Sequence, residues 1–463
     1  SVAAGRSGAS LPLPATLPSR AHRPEGTMTA SRDETLEPAD RAPERTILLV
    51  VCGYAAAFVV FGLAVDGPAQ VLRGLLEIVT TRDALLTDYF GTGGIGAACV
   101  NAGLLTLCAC LVYRLSNAKI GGAAVACLFL VLGFGLFGKN LLNIWSIVLG
   151  VYLYARFRGE PFANHVNTAF FGSALAPIFS EILFATTLPF EIRLPLAVGT
   201  ALVAGFILAP VAAQLFKAHM GYSLYNMGFT AGIVGTVIVA TYKSYGFVPD
   251  PVMIWTTGNN LLLGSFVAAL FASMVAIGWT LERSLPSRLK EIMGTTGQSP
   301  SDFIAIAGFG PALANMGLAG ATGTIYVLLI GGDLNGPVVG AILTIVGFAA
   351  YGKHPRNIVP IMVGVFIGSL AKPWGAADPS ITLAALFGTT LAPIAGRFGW
   401  HWGVVAGVVH SSAAMSVGWL HAGLNLYNNG FAAGIVASVL APVIIAIRER
   451  TRRGDAPAPP GPT

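Results

Sequence analysis

Two matching stretches hold the densest polar chemistry in this chain. Residues 219–234 read HMGYSLYNMGFTAGIV and residues 421–436 read HAGLNLYNNGFAAGIV, at a constant offset of 202. Eleven of the 16 positions are identical. Asn226 and Asn428 both donate and accept hydrogen bonds through their amides, as Tyr225 and Tyr427 do through their hydroxyls. Gly228 and Gly430 permit close backbone approach, or a break before the apolar run resumes. Two readings follow. In one, the cassettes are symmetric half-sites that hydrogen-bond a small polar solute near a pseudo-two-fold axis. In the other, Asn caps the following helix and Tyr anchors the membrane interface. His219 and His421 precede the cassettes and are expected at a membrane edge, as ordinary loop histidines or as a proton relay.

A second repeated block is FGSALAPI at 171–178 and FGTTLAPI at 387–394. It places Ser173 and Thr389, then Pro177 and Pro393, inside apolar sequence. Proline removes a backbone donor and clashes with the preceding turn, which frees carbonyls. Matching Pro/Gly-interrupted segments in two halves point to a transporter's binding site. The alternative is a plain kink whose carbonyls are satisfied by neighbouring helices. Glu181 follows the first block, and its repeat mate is Arg397, so the two are candidates for an ion pair or gate. Asn101 and Asn315 lie in glycine-rich runs that suit helix packing or a site lining. Lys139 and Lys353 each follow a glycine between two runs. They read as solvated loop cations that fix orientation, or as anion contacts at the next helix's N-terminus. Asp88 and Asp302 stand in N-cap-like positions.

Something must position these groups, and composition says what. The chain is 54% hydrophobic and only 10% charged, where a soluble domain carries about 25% charged residues. Its mean hydropathy is +0.72. So few charges cannot cover a water-facing surface, and lipid must face much of it. The net charge of +6 fits membrane orientation rather than nucleic-acid binding. The five cysteines sit in apolar runs and read as packing residues, with no disulfide or metal framework. There is no HExxH, no GxSxG and no tight acidic–histidine cluster, so neither an enzyme nor a metal or cofactor is expected.

The expected fold is all-α: a polytopic integral membrane protein of two homologous, inverted repeats with about 10–14 membrane segments, some re-entrant or broken. The repeats are placed at 46–247 and 258–448, joined by a loop at 248–257. An odd number of crossings per half inverts the second half. Arginines flank both ends, which puts both termini in the cytoplasm of a bacterial inner membrane. Residues 69–79 read as an interfacial amphipathic helix and 283–301 as a polar linker. Residues 1–45, with translation starting at Met28, and 449–463 are expected to be unfolded. The expected function is transport or channel-like permeation of a small polar solute, with the bilayer as partner and homo-oligomerisation open. An intramembrane enzyme and a membrane scaffold or sensor are the alternatives.

The LYNxGFxAGIV and FGxxLAPI blocks resemble a family of bacterial membrane proteins with a duplicated domain of unknown function. That likeness covers nearly all of 46–448 and implies the fold without a substrate. A weaker likeness is to urea transporters, whose two inverted halves carry aromatic–Asn motifs echoed by Tyr225-Asn226 and Tyr427-Asn428. Their Leu-Pro-Phe-Asn motif is absent, since Leu188-Pro189-Phe190 runs into Glu191.

Overall fold

The computed structural model describes residues 43–250 and 252–454. The expectations for 1–42, including a start at Met28, and for 455–463 lie outside the described residues. The first half comprises α1 (Glu44–Thr80), α2 (Ile95–Ser116), α3 (Gly122–Phe134), α4 (Trp145–Arg158), α5 (Val166–Gly172), α6 (Ala176–Ala185), α7 (Phe190–His219) and α8 (Asn226–Ser244). The second repeats it as α9 (Asn260–Leu281), α10 (Phe309–Leu329), α11 (Gly336–Phe348), α12 (Pro355–Leu370), α13 (Pro379–Gly388), α14 (Ala392–Phe398), α15 (Trp400–Val417) and α16 (Asn428–Gly454). Packing repeats as well: α1 lies on α2 as α9 lies on α10, and α4 on α7 as α12 on α15. The only sheet among the described residues is β1 (Leu86–Thr87) paired in parallel with β2 (Met253–Ile254).

Contacts at the helix ends show the inversion. On one face, the Glu44 carboxylate accepts from Ile120 N at 3.3 Å, and Asp302 accepts from Gly122 N at 3.1 Å. Gln298 Nε2 donates to Met220 O at 2.8 Å there, and Arg448 donates to Phe398 O. Both the start of α1 and the end of α16 therefore lie on this terminal face. On the far face, Arg82 reaches both Glu181 in the second half of α6 and Asp250 O beyond α8. Gly258 N, just before α9, donates to Asp333 at 3.1 Å. So α1 runs from the terminal to the far face, and its mate α9 runs back. The repeats are inverted.

Nine helical segments among the described residues are long and apolar enough to cross a membrane. They do not include α8, the 19-residue mate of α16, which packs on α16. The protein is thus a multi-pass membrane protein. The helices α3 and α4 have 13 and 14 residues. Each is about 20 Å long at 1.5 Å per residue, short of a hydrocarbon core of about 30 Å. They form a hairpin that enters from the terminal face, turns where Asn140 Nδ2 reaches Asp83 at 3.3 Å, and returns. The mates α11 and α12 enter from the far face. A Cβ on Gly133 would sit 2.5 Å from Gly340 O, and one on Gly340 2.5 Å from Gly133 O, so only glycine lets α3 and α11 touch.

Residues 69–79 do form a helical segment of their own: Gly67 is non-helical (φ +74°) and breaks α1, and Pro68 starts the stretch beyond it. One local expectation changes. Residues 283–301 are not all linker: Leu285–Gly294 is an amphipathic helix, with Leu285 and Ile292 buried. Apolar spacing every three to four residues survives there amid the charges.

Candidate functional site

The cassettes meet where the halves cross. Each runs extended before its helix, and each docks on the opposite half's FGxxLAPI block. Leu224 N donates to Thr390 O at 3.0 Å, and Leu426 N to Ala174 O at 3.0 Å. Those carbonyls belong to short 3-10 turns, Ser173–Leu175 and Thr389–Leu391, that break α5 from α6 and α13 from α14. Pro177 and Pro393 sit in the first turn of the helix after each break, where a missing donor costs nothing. These breaks are therefore joints between the halves, filled by protein.

Beyond the joints, α8 and α16 pack with Gly228 against Gly430: a Cβ on either would lie 2.9 Å from the other's Cα. The Tyr225 and Tyr427 rings are 5.3 Å apart, and Phe229 stacks on Phe431 at 6.4 Å. Both tyrosines are 2% exposed, so neither is an interface anchor. The axis itself is filled by side chains.

Asn226 and Asn428 do not cap the helices they begin. His219 Nε2 bonds Asn226 Oδ1 at 2.9 Å, and Asn226 Nδ2 donates to Ala212 O at 3.1 Å. The copy has His421 Nε2 to Asn428 Oδ1 at 3.1 Å and Asn428 Nδ2 to Ala414 O at 3.0 Å. Each Asn–His pair fastens a helix to the one before it, and both histidines are fully buried rather than in edge loops. Asn101 Nδ2 donates to Gly135 O and Lys139 O at 2.7 and 2.9 Å, and Asn315 Nδ2 to Ala349 O and Lys353 O at 2.8 Å each. They hold the hairpin turns. Asp88 and Asp302 do cap, and they also reach across: Asp88 accepts from Phe90 N at 3.0 Å and Gly336 N at 3.1 Å, Asp302 from Ile304 N at 3.0 Å and from Gly122 N.

The expected Glu181–Arg397 pair does not form. Glu181 is gripped by Arg82 through Nε at 3.1 Å and Nη2 at 2.9 Å. Arg397 is exposed on the opposite face, because inversion sends repeat mates to opposite sides. Sequence reasoning also passed over Asp83, whose buried carboxylate accepts from Tyr89 Oη and Ser180 Oγ at 2.7 Å and from Asn143 Nδ2 at 2.9 Å. Its repeat mate is Gly297, so the duplication gave no signal there.

The largest correction concerns the lysines. Lys139 and Lys353 are not solvated loop cations; both are 0% exposed. Lys353 Nζ donates to Tyr225 Oη at 2.5 Å and Thr389 Oγ1 at 2.7 Å. Lys139 Nζ donates to Phe170 O at 3.1 Å. Among the described residues, neither has a carboxylate within ion-pair distance. The hairpin turns fold inward, which sequence polarity alone does not reveal.

Two cavities flank the crossing. One, of about 270 Å³, lies toward the terminal face and is lined by Ala123, Ser299 and Tyr351, then Tyr225 and Tyr427 at depth. The other, of about 140 Å³, lies toward the far face beside Leu85 and Ser380. Their walls correspond. Phe171, Ala212, Phe216, Asn226 and Met227 line the first, and their repeat mates Phe387, Ala414, Gly418, Asn428 and Asn429 line the second.

A family model described as "Protein of unknown function (DUF1576)" matches residues 67–244 and again 281–446. The chain belongs to that family. The two matches fall one on each inverted half, so the family's own unit is the repeat seen here. Neither a curated protein nor a solved structure matches the chain.

Proposed function

We propose that the protein is a carrier for a small polar solute, with the two cavities as vestibules that open alternately to the two faces. One observation carries this reading: corresponding residues of inverted repeats line unequal hollows on opposite sides of a closed centre. Inverted-repeat transporters work by exchanging the conformations of their halves around a site at the repeat interface. The filled axis favours a carrier over an open channel. Arginines at 41 and 45 and at 448, 450, 452 and 453 support a cytoplasmic terminal face in a bacterial inner membrane.

The test is single-cysteine labelling in proteoliposomes, with the five native cysteines replaced. Thr168→Cys in the larger cavity and Ser380→Cys in the smaller should react with an impermeant maleimide from opposite sides. Liposome swelling should then show entry of at least one member of a panel of small amides, polyols and carboxylates. Labelling of both positions from one side, or no entry of any solute, would end the proposal.

A further inference from the structure

We propose that a hollow on the terminal face, between the starts of α12 and α15, binds a small carboxylate from solution. The first half supplies a carboxylate of its own at the matching place. This site stands apart from the transport reading and does not depend on it.

Repeat mates differ here in one decisive way. In the first half, Asn143 Nδ2 donates to Gly138 O at 3.0 Å and to the Asp83 carboxylate at 2.9 Å. Asn140 Nδ2 and Ser180 Oγ donate to the same carboxylate oxygen at 3.3 and 2.7 Å. In the second half the mate of Asp83 is Gly297, which has no side chain to offer. The mates of Asn143, Asn140 and Ser180 are Asn357, His354 and Gly396, and all three line one cavity of about 310 Å³. Asn357 keeps the turn bond, from Nδ2 to Gly352 O at 2.9 Å. Its second amide proton, the one that Asn143 spends on Asp83, has no acceptor among the described residues, although the side chain is only 1% exposed. His354 is equally buried. Its Nε2 bonds Thr295 O at 3.2 Å, and its Nδ1 has no partner. Once protonated there, it is a further donor.

Charge points the same way. A Cβ on Gly403 would lie 2.8 Å from Pro360 Cβ, and one on Gly364 3.0 Å from Gly407 Cα. The two helices thus run parallel, and their N-termini, each a positive end, meet at this hollow. Gly399 puts no side-chain cap on α15. Arg356, in the first turn of α12, lines the hollow and is exposed. Among the described residues it has no carboxylate within ion-pair distance. No Asp or Glu lines the cavity. Where the first half has Asp83 and Leu142, the second has Gly297 and Arg356: the internal anion is gone and a cation has been added. A carboxylate, which accepts through two oxygens, matches an amide proton and a guanidinium side by side.

The experiment measures binding to the full chain in detergent by calorimetry and thermal shift. The probes are sodium propionate, its neutral isostere propionamide, and inorganic phosphate. Propionate should bind and raise Tm, propionamide should not bind, and phosphate should bind more weakly than propionate. Arg356→Gln should weaken propionate about fivefold, as loss of an exposed ion pair does, without changing the Tm of the free protein. Arg356→Glu, which puts a carboxylate beside the hollow, should abolish binding. Arg114→Gln, an exposed arginine beside a different hollow, should leave the affinity unchanged. No propionate binding, equal binding of propionamide, tighter binding of phosphate, or the same loss in Arg114→Gln as in Arg356→Gln would each overturn the proposal.

Discussion

The two halves share one set of scaffold bonds and differ in a few others, and the division is informative. Both use an Asn–His clasp, an Asn at the hairpin turn, an Asp that caps across the interface, and a backbone bond from cassette to opposite break. These bonds build the fold and obey the symmetry. The lysine–tyrosine contact, the cavity sizes, the Asp83 network and the Arg82–Glu181 pair occur in one half only. The Asp83 network and the Arg82–Glu181 pair have no counterpart because their repeat mates are Gly297, Thr296 and Arg397, whereas the lysine–tyrosine contact and the cavity sizes differ although both halves carry the same residue types there.

Three pairs of substitutions sharpen that division. The largest effect should come from Asn101→Leu, which strands Gly135 O, Lys139 O and Leu141 N, each at about 1–3 kcal/mol. Asn315→Leu strands only two carbonyls, since Asn315 Oδ1 has no partner. Thermal unfolding in detergent should rank Asn101→Leu below Asn315→Leu; the opposite rank would show that the turns are not held as described. Next, Asn226→Leu and Asn428→Leu each remove the same two bonds. Their losses of Tm should match closely, and a large inequality would place one of them among the contacts that differ between the halves. The smallest pair is Glu181→Gln against Arg397→Gln. The first breaks a bidentate pair whose arginine side chain is 29% exposed, so the loss should be about 2–3 kcal/mol, under the 3–5 of full burial. The second alters an exposed side chain and should stay within about 0.5 kcal/mol. Equal losses would restore the pair that sequence symmetry suggested.

Much of the fold was legible from the residues. Hydropathy gave the bundle, and repeated glycines, prolines and asparagines gave the duplication, because both copies must close the same joints. Asp88 and Asp302 were legible as caps because a carboxylate before an apolar run has few other uses. The roles of Asn226 and Asn428 were not, since an amide before a helix serves a cap, a clasp or a solute equally well. His219 supplies the deciding partner from the preceding helix.

The order of polar and apolar residues determined that this chain lies in lipid as two related halves, because transfer from water acts on each stretch separately. Tertiary structure alone decided the rest. Glu181 meets Arg82 instead of Arg397, Lys139 and Lys353 lie inside instead of in water, and each cassette seats on the other half. Those outcomes depend on which groups an inverted packing brings within about 3 Å, and no single stretch of chain contains that distance.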